Sequence, residues 1–97
     1  MTGSQISSAG LDVRRRRLLF RSWRRGMREM DLVLGRFADA QIGTLSDAEL
    51  DEYERLLEIP DQQMFAWVSG TETVPADIDT ALLRRVLEFH RDGPMAT

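Results

Sequence analysis

Two amphipathic segments of this chain meet at the sequence RRGMREMD, residues 24–31. With about 100° of rotation per residue, the preceding segment, residues 11–24, places Leu19, Phe20 and Trp23 on one side of a helix. Four arginines fall in a narrow stripe on the other side of that helix: Arg14, Arg17, Arg21 and Arg24. This pattern predicts a first helix with one buried face and one charged face.

A glycine within the stretch, Gly26, is expected to end the first helix. Glycine adopts the left-handed conformation freely, whereas other residues lose about 1–2 kcal/mol there. A second helix is predicted over residues 27–41, followed by Gly43 as its stop. Its apolar side chains recur at helical spacing and share one arc: Met30, Val33, Leu34, Phe37 and Ala38.

Local signals also define the remaining helices. Ser46 with Glu49 three residues later matches a capping box and predicts the start of a third helix, which Pro60 breaks. A short fourth helix over residues 61–69 and a last helix over residues 76–91 follow. No segment alternates convincingly with period two. The predicted fold is therefore an all-α, compact five-helix bundle forming a single small domain.

Length and composition limit the classes of protein that fit. A chain of 97 residues forms one domain, predicted over residues 11–92 between a disordered N-terminal tail, 1–10, and a C-terminal tail, 93–97. No cysteine is present and His90 is the only histidine, so no metal site is expected. No apolar run reaches the ~18 residues of a membrane span, and residues 1–10 do not resemble a secretory signal. We expect a cytoplasmic bacterial protein without membrane insertion.

Charge is distributed unevenly along the chain. Residues 1–28 hold eight arginines and one aspartate, net +7, and residues 29–97 hold five arginines and 15 acids, net −10. The arginine stripe is typical of a solvated face that the acidic third helix neutralises, of a surface for an acidic partner, or of a phosphate-binding face. The net negative charge of residues 29–97 disfavours binding to nucleic acid. A small arginine-rich binding module, associated with nucleic acid or the ribosome, is therefore kept only as the alternative function.

The junction between the first two helices is the candidate functional surface. Arg28 and Glu29 lie in the first turn of the second helix and face away from its apolar arc, with Leu32 on the same outward side. An apolar residue ringed by charges is typical of a docking surface. Glu29 and Asp31 have no nucleophile nearby in sequence, so an enzyme is not expected. The predicted partner-binding residues are Arg25, Gly26, Arg28, Glu29, Asp31, Leu32 and Arg36.

The sequence WRRGMREMD, residues 23–31, resembles the Arg-Gly-x-x-Glu core of the small flavinylation factors that mature succinate dehydrogenase, the SdhE family and its mitochondrial relatives. The resemblance covers roughly residues 11–94. Downstream features keep the order and spacing of the family: Leu45-Ser46, Glu49, Leu56-Leu57-Glu58, Asp61, Phe65, Trp67 and Pro75-Ala76-Asp77.

This resemblance implies a small five-helix bundle that acts as an assembly chaperone. Family members assist the covalent attachment of FAD to a histidine of the flavoprotein subunit of succinate dehydrogenase, and in some bacteria of fumarate reductase. The motif residues Arg25, Gly26 and Glu29 are then expected to contact that flavoprotein near its flavin. The resemblance further implies that the chain holds no cofactor tightly, that FAD is handled on the partner, and that the chain acts as a monomer.

Overall fold

The structure, a computed structural model, describes residues 10–92. These residues contain no strand and fold into five α-helices, which confirms the predicted all-α fold: α1 (Val13–Ser22), α2 (Arg28–Gln41), α3 (Asp47–Leu57), α4 (Asp61–Ser69) and α5 (Ala81–Asp92). The two predicted tails fall almost entirely in residues 1–9 and 93–97, which lie outside the described residues. None of the helices in the described part of the chain is long and apolar enough to cross a bilayer.

Helix α2 is the centre of the bundle. It packs against α1, α4 and α5, while α3 closes the other side by packing against α1 and α5. The predicted arc of α2 is fully buried, as Met30, Leu34 and Phe37 illustrate. Phe37 also contacts Phe89 of α5 edge to face, with 5.7 Å between the ring centroids.

The first helix is shorter than the sequence predicts, and Phe20 lies on its exposed side and not on its buried side. It begins after Asp12, whose carboxylate accepts a hydrogen bond from the Arg15 amide at 2.8 Å, and it ends at Ser22. Gly26 therefore does not end α1 but lies within the connection to α2. Phe20 was expected in the core, yet its side chain is exposed, because the neighbouring helices cover the arc that contains Leu18 instead.

Two local predictions are confirmed at α3 and α4. The Ser46 hydroxyl accepts from the Glu49 amide at 3.1 Å, and the Glu49 carboxylate accepts from the Ser46 amide at 2.9 Å, which completes the capping box. At the end of α4, Gly70 adopts a left-handed conformation with φ of 83°. The sequence alone thus identified the start of α3 and the end of α4.

The last helix begins at Ala81 and not at residue 76, so the predicted start was wrong. Residues 76–78 form a turn in which the Ile78 amide donates to the Pro75 carbonyl at 3.0 Å. The Thr80 hydroxyl then accepts from the Leu83 amide at 3.1 Å and acts as the N-terminal cap. The threonine cap, which the hydrophobic periodicity does not reveal, sets this boundary.

A buried hydroxyl network joins three helices at the centre of the core. The Tyr53 hydroxyl of α3 lies 2.6 Å from the Ser22 hydroxyl of α1 and 3.2 Å from the Leu34 carbonyl of α2. The Ser22 hydroxyl donates to the Leu18 carbonyl at 2.7 Å. Because these polar groups are buried, each needs a partner, and the network specifies how α1, α2 and α3 align.

Ionisation of Tyr53, the only tyrosine in the chain, is expected to occur only as the protein unfolds in alkali. Burial raises the pKa of its phenol above the ordinary value of about 10. The unfolded chain therefore loses this proton first, so the stabilisation is complete below pH ~10 and declines as pH rises above it. Phenolate absorbance and helical circular dichroism should change together; phenolate appearing near pH ~10 in a fully helical protein would contradict this network.

Candidate partner-docking site

The connection between α1 and α2 is fixed at its first residue by the indole of Trp23. This ring is buried and packs against α2 at Gly35, where a Cβ would come within 2.7 Å of the ring carbon Cε3 and closer still to two others. The indole nitrogen donates to a carboxylate oxygen of Asp39 at 3.3 Å. The absence of a side chain at Gly35 is what allows the two helices to meet here.

The side chain of Arg25 holds the same connection from inside the molecule. Its guanidinium donates to the Asp61 carboxylate at 2.8 Å, to the Leu57 carbonyl at 2.5 Å and to the Ile59 carbonyl at 2.7 Å. Only 9% of the Arg25 side chain and 17% of the Asp61 side chain are exposed. The family resemblance led us to expect that Arg25 contacts the partner, but its guanidinium is occupied within the molecule, where it joins this connection to the α3–α4 junction.

The charges of this ion pair suit the helix ends that they meet. Leu57 is the last residue of α3, where exposed carbonyls favour a cation, and Asp61 is the first residue of α4, where exposed amides favour an anion. Arg25 therefore satisfies one carbonyl at the end of α3 and another two residues beyond it. Its planar fork of donors suits three acceptors in a way that a lysine would not.

Asp31 and Gly26 complete the geometry of the connection. The Asp31 carboxylate reaches back across Gly26 to accept from the Arg25 amide at 2.6 Å. Gly26 itself has φ of 96°, a conformation that strains residues with a side chain. A Cβ at Gly26 would meet only the Asp61 carboxylate at 3.8 Å, an ordinary contact. Backbone conformation, and not lack of space, therefore requires glycine at this position.

Four residues of this region remain at the surface and form the exposed corner of the molecule: Arg24, Gly26, Arg28 and Glu29. They lie between inward-facing neighbours, with Trp23 and Arg25 on one side and Met30 on the other. The corner thus offers a cation and a carboxylate side by side on a backbone that is held from beneath. Such a surface is pre-organised, which lowers the entropic cost of docking.

The other predicted site residues lie closer to the core than expected. Leu32 was expected to be exposed, but it is half-buried and packs against the hydrophobic core. Arg36 is also half-buried, and Asp31 uses one carboxylate oxygen internally. Arg28, Glu29 and Gly26 thus lie together at the surface, whereas Leu32 and Arg36 are only partly accessible to a partner.

Sequence reasoning missed two residues that support the site. The central position of Gly35 in a helix, where glycine costs about 1 kcal/mol relative to alanine, was a detectable signal of close approach. In the sequence, Asp61 is recognisable only as the start of α4, as part of the acidic segment and as part of the family pattern. Its pairing with Arg25 carries no local signal, because the two residues are 36 positions apart.

Acidic residues of α3, and Glu58 directly after it, neutralise part of the arginine stripe. Arg14 pairs with Asp51 at 2.6 Å and with Glu54 at 3.2 Å, and Arg21 pairs with Glu58 at 3.2 Å. Within residues 10–92, no three acidic or histidine side chains converge as metal ligands do. The acidic segment therefore neutralises the two arginines on one edge of the stripe, Arg14 and Arg21, which agrees with one of the sequence interpretations.

Comparison with known proteins identifies consistent relatives. Residues 16–90 match the family model described as flavinator of succinate dehydrogenase. The chain is 37% identical over 90 residues to the FAD assembly factor SdhE of Acetobacter pasteurianus, across 93% of this chain and 83% of that protein. It is also similar to mitochondrial succinate dehydrogenase assembly factor 2 of Dictyostelium discoideum, at 37% identity over 81 residues, and of Danio rerio, at 32% over 87 residues.

Coverage differs between these relatives. The chain spans little more than half the length of the two mitochondrial proteins, 57% and 55%. The matched family region contains the exposed corner and the residues beneath it, from the end of α1 to the start of α4. The similarity therefore extends over the whole candidate site.

Proposed function

The chain belongs to the family of succinate dehydrogenase flavinators. We propose that it promotes covalent attachment of FAD to the flavoprotein subunit of succinate dehydrogenase. The relatives are described as assembly factors, which is consistent with a protein that has no active site of its own. The single observation that carries the proposal is an exposed, charged corner whose backbone is held from beneath by Arg25.

Docking would occur through the exposed corner. Glu29 contacts polar groups beside the acceptor histidine of the flavoprotein, and Arg28 pairs with a carboxylate on the partner. Gly26, which lacks a side chain, permits close approach of the two backbones. Arg25 acts as a positioning residue, because its guanidinium holds the corner and does not reach the partner. A domain of this size can bury a standard interface of ~800 Å².

The partner provides the cofactor and the acceptor histidine, and this chain provides orientation. Holding two reacting groups in a productive geometry can by itself accelerate bond formation by several orders of magnitude. We assign no step of the bond formation to a residue of this chain. The complex would be transient, because the finished enzyme must release its assembly factor.

We propose that the flavoprotein subunit of fumarate reductase is also accepted, that FAD stays on the flavoprotein throughout, and that this chain acts as a monomer in the bacterial cytoplasm. The carboxylate of Glu29 and the guanidinium of Arg28 supply one binding face, which a single copy presents in full.

Co-expression tests this function directly. Each flavoprotein subunit is produced with and without this chain, and covalent flavin is measured by in-gel fluorescence after denaturation. We expect a strong increase in covalent flavin per flavoprotein when the chain is present. Equal fluorescence with and without the chain, at equal flavoprotein levels, would refute the assignment for that partner.

A further inference from the structure

The outward face of α1 carries two exposed apolar side chains. The side chain of Phe20 is 59% exposed and that of Val13 is 53% exposed, although most large apolar residues of the described chain are covered. The two are seven residues apart, so they lie on one line along the helix about 10 Å apart. An exposed aromatic and an exposed aliphatic residue in line are typical of a surface that a partner covers.

Three exposed arginines flank this apolar line. Arg16 and Arg17 lie on its two sides, and the guanidinium carbon of Arg24 lies 4.3 Å from the centroid of the Phe20 ring. Across residues 10–92, none of these three arginines forms an ion pair, and α1 itself contains no acidic residue. Together with Val13 and Phe20 they are called the α1 outer face.

We propose that the α1 outer face binds a carboxylate-bearing surface of the flavoprotein, an inference that rests on the proposed function and extends it beyond the corner. Phe20 is the apolar anchor, and Arg17 and Arg24 each accept a carboxylate of the partner. The face is continuous in sequence with the corner, because Arg24 belongs to both. Aromatic and arginine side chains are the residues most enriched among those that dominate interface energies.

The acidic border of this face favours a protein over a membrane or a nucleic acid. Arg14 and Arg21, on the edge nearest α3, are paired with Asp51 of that helix and with Glu58, the residue that follows it. A continuous anionic surface that covered the α1 outer face would also approach this acidic row and be repelled by it. A protein with discrete carboxylates can place them opposite the unpaired arginines only.

The contact between Arg24 and Phe20 also suits this partner. Stacking on the ring restricts the guanidinium in advance while it leaves the planar fork of donors free for a carboxylate. Binding then loses less side-chain entropy than it would with a freely rotating cation. At the end of α1 nearest the corner, Phe20 thus offers the partner an apolar contact and Arg24 offers it a charged one.

Binding of the full chain to the purified flavoprotein subunit, measured at low and at high salt, tests this inference. Phe20→Ala is expected to weaken the affinity about tenfold. The double variant Arg17→Glu, Arg24→Glu is expected to lower the association rate about tenfold at low salt and to reduce its salt dependence. Arg55→Glu, which reverses one charge at an exposed position on α3, is the control for each of the two reversals and should retain wild-type binding.

The outcomes separate this inference from the proposed function. If the wild-type chain does not bind the flavoprotein, the proposed function fails and the role of α1 fails with it. If the wild type binds and the folded α1 variants bind equally well, only the role of α1 is overturned. Wild-type binding to phosphatidylglycerol vesicles or duplex DNA that the α1 substitutions abolish, with flavoprotein binding unchanged, would overturn it in favour of those surfaces.

Discussion

Replacing Arg25 by alanine is expected to lower the free energy of unfolding by about 2–3 kcal/mol. The substitution removes three hydrogen bonds and leaves the largely buried carboxylate of Asp61 without its cation. In a domain of this size, the change corresponds to a fall of roughly 10–20 °C in the melting temperature. Thermal unfolding followed by circular dichroism measures it.

A matched ion pair elsewhere in the protein provides the control. Arg21 pairs with Glu58 at the surface, where the two side chains are 43% and 75% exposed. Because exposed pairs contribute little, Arg21→Ala should cost about 0.5 kcal/mol or less. Equal losses for Arg21→Ala and Arg25→Ala would show that Arg25 does not hold the connection as the geometry indicates.

Replacing Gly35 by alanine is expected to destabilise the protein by about 2 kcal/mol, although alanine is the better helix former. The new methyl group would overlap three carbons of the Trp23 indole, and such overpacking costs about 1–3 kcal/mol or more. The overlap here is severe, so we take the upper end of that range, about 3 kcal/mol. The higher helix propensity of alanine offsets only about 1 kcal/mol of this loss. Denaturant unfolding gives the difference in free energy.

A second background tests whether the indole is the cause. With Trp23→Leu already present, the smaller side chain leaves room, so adding Gly35→Ala should cost much less than it does alone. Gly43→Ala, in the turn after α2, is the control for a methyl group added without overlap, because a Cβ there would meet only Leu11, at 3.7 Å. Additive losses for the Trp23 and Gly35 substitutions would contradict the packing described at this contact.

The local part of the fold could be predicted from sequence. The capping box at Ser46 and the glycine stop at Gly70 act within a few residues, and both were predicted correctly. The start of α5 was predicted too early, because Pro75 and the residues after it form a turn that hydrophobic periodicity does not detect. The number and order of the helices followed from the hydrophobic pattern, whereas the start of α5 depended on the single cap at Thr80.

The inward and outward placement of side chains around the corner could not be predicted fully. Periodicity gives the angle of a residue around its own helix but not which arc the other helices cover, so Phe20 was placed in the core. The acceptors of Arg25 lie 32 to 36 positions later in the chain, so its inward direction depends on the tertiary fold. Glu29 and Arg28 were placed at the surface correctly because α2 has a clear apolar arc.

Glu29→Ala measures the role of the exposed corner more directly than any change at Gly26, where strain at φ of 96° would add a folding defect. Glu88→Ala, at an exposed position on α5, is the matched control. Covalent flavin is read by in-gel fluorescence after co-expression with the succinate dehydrogenase flavoprotein. We predict wild-type flavin with Glu88→Ala and a fall with Glu29→Ala almost to the level without the chain. A folded Glu29→Ala protein that supports wild-type flavinylation would contradict docking through this corner.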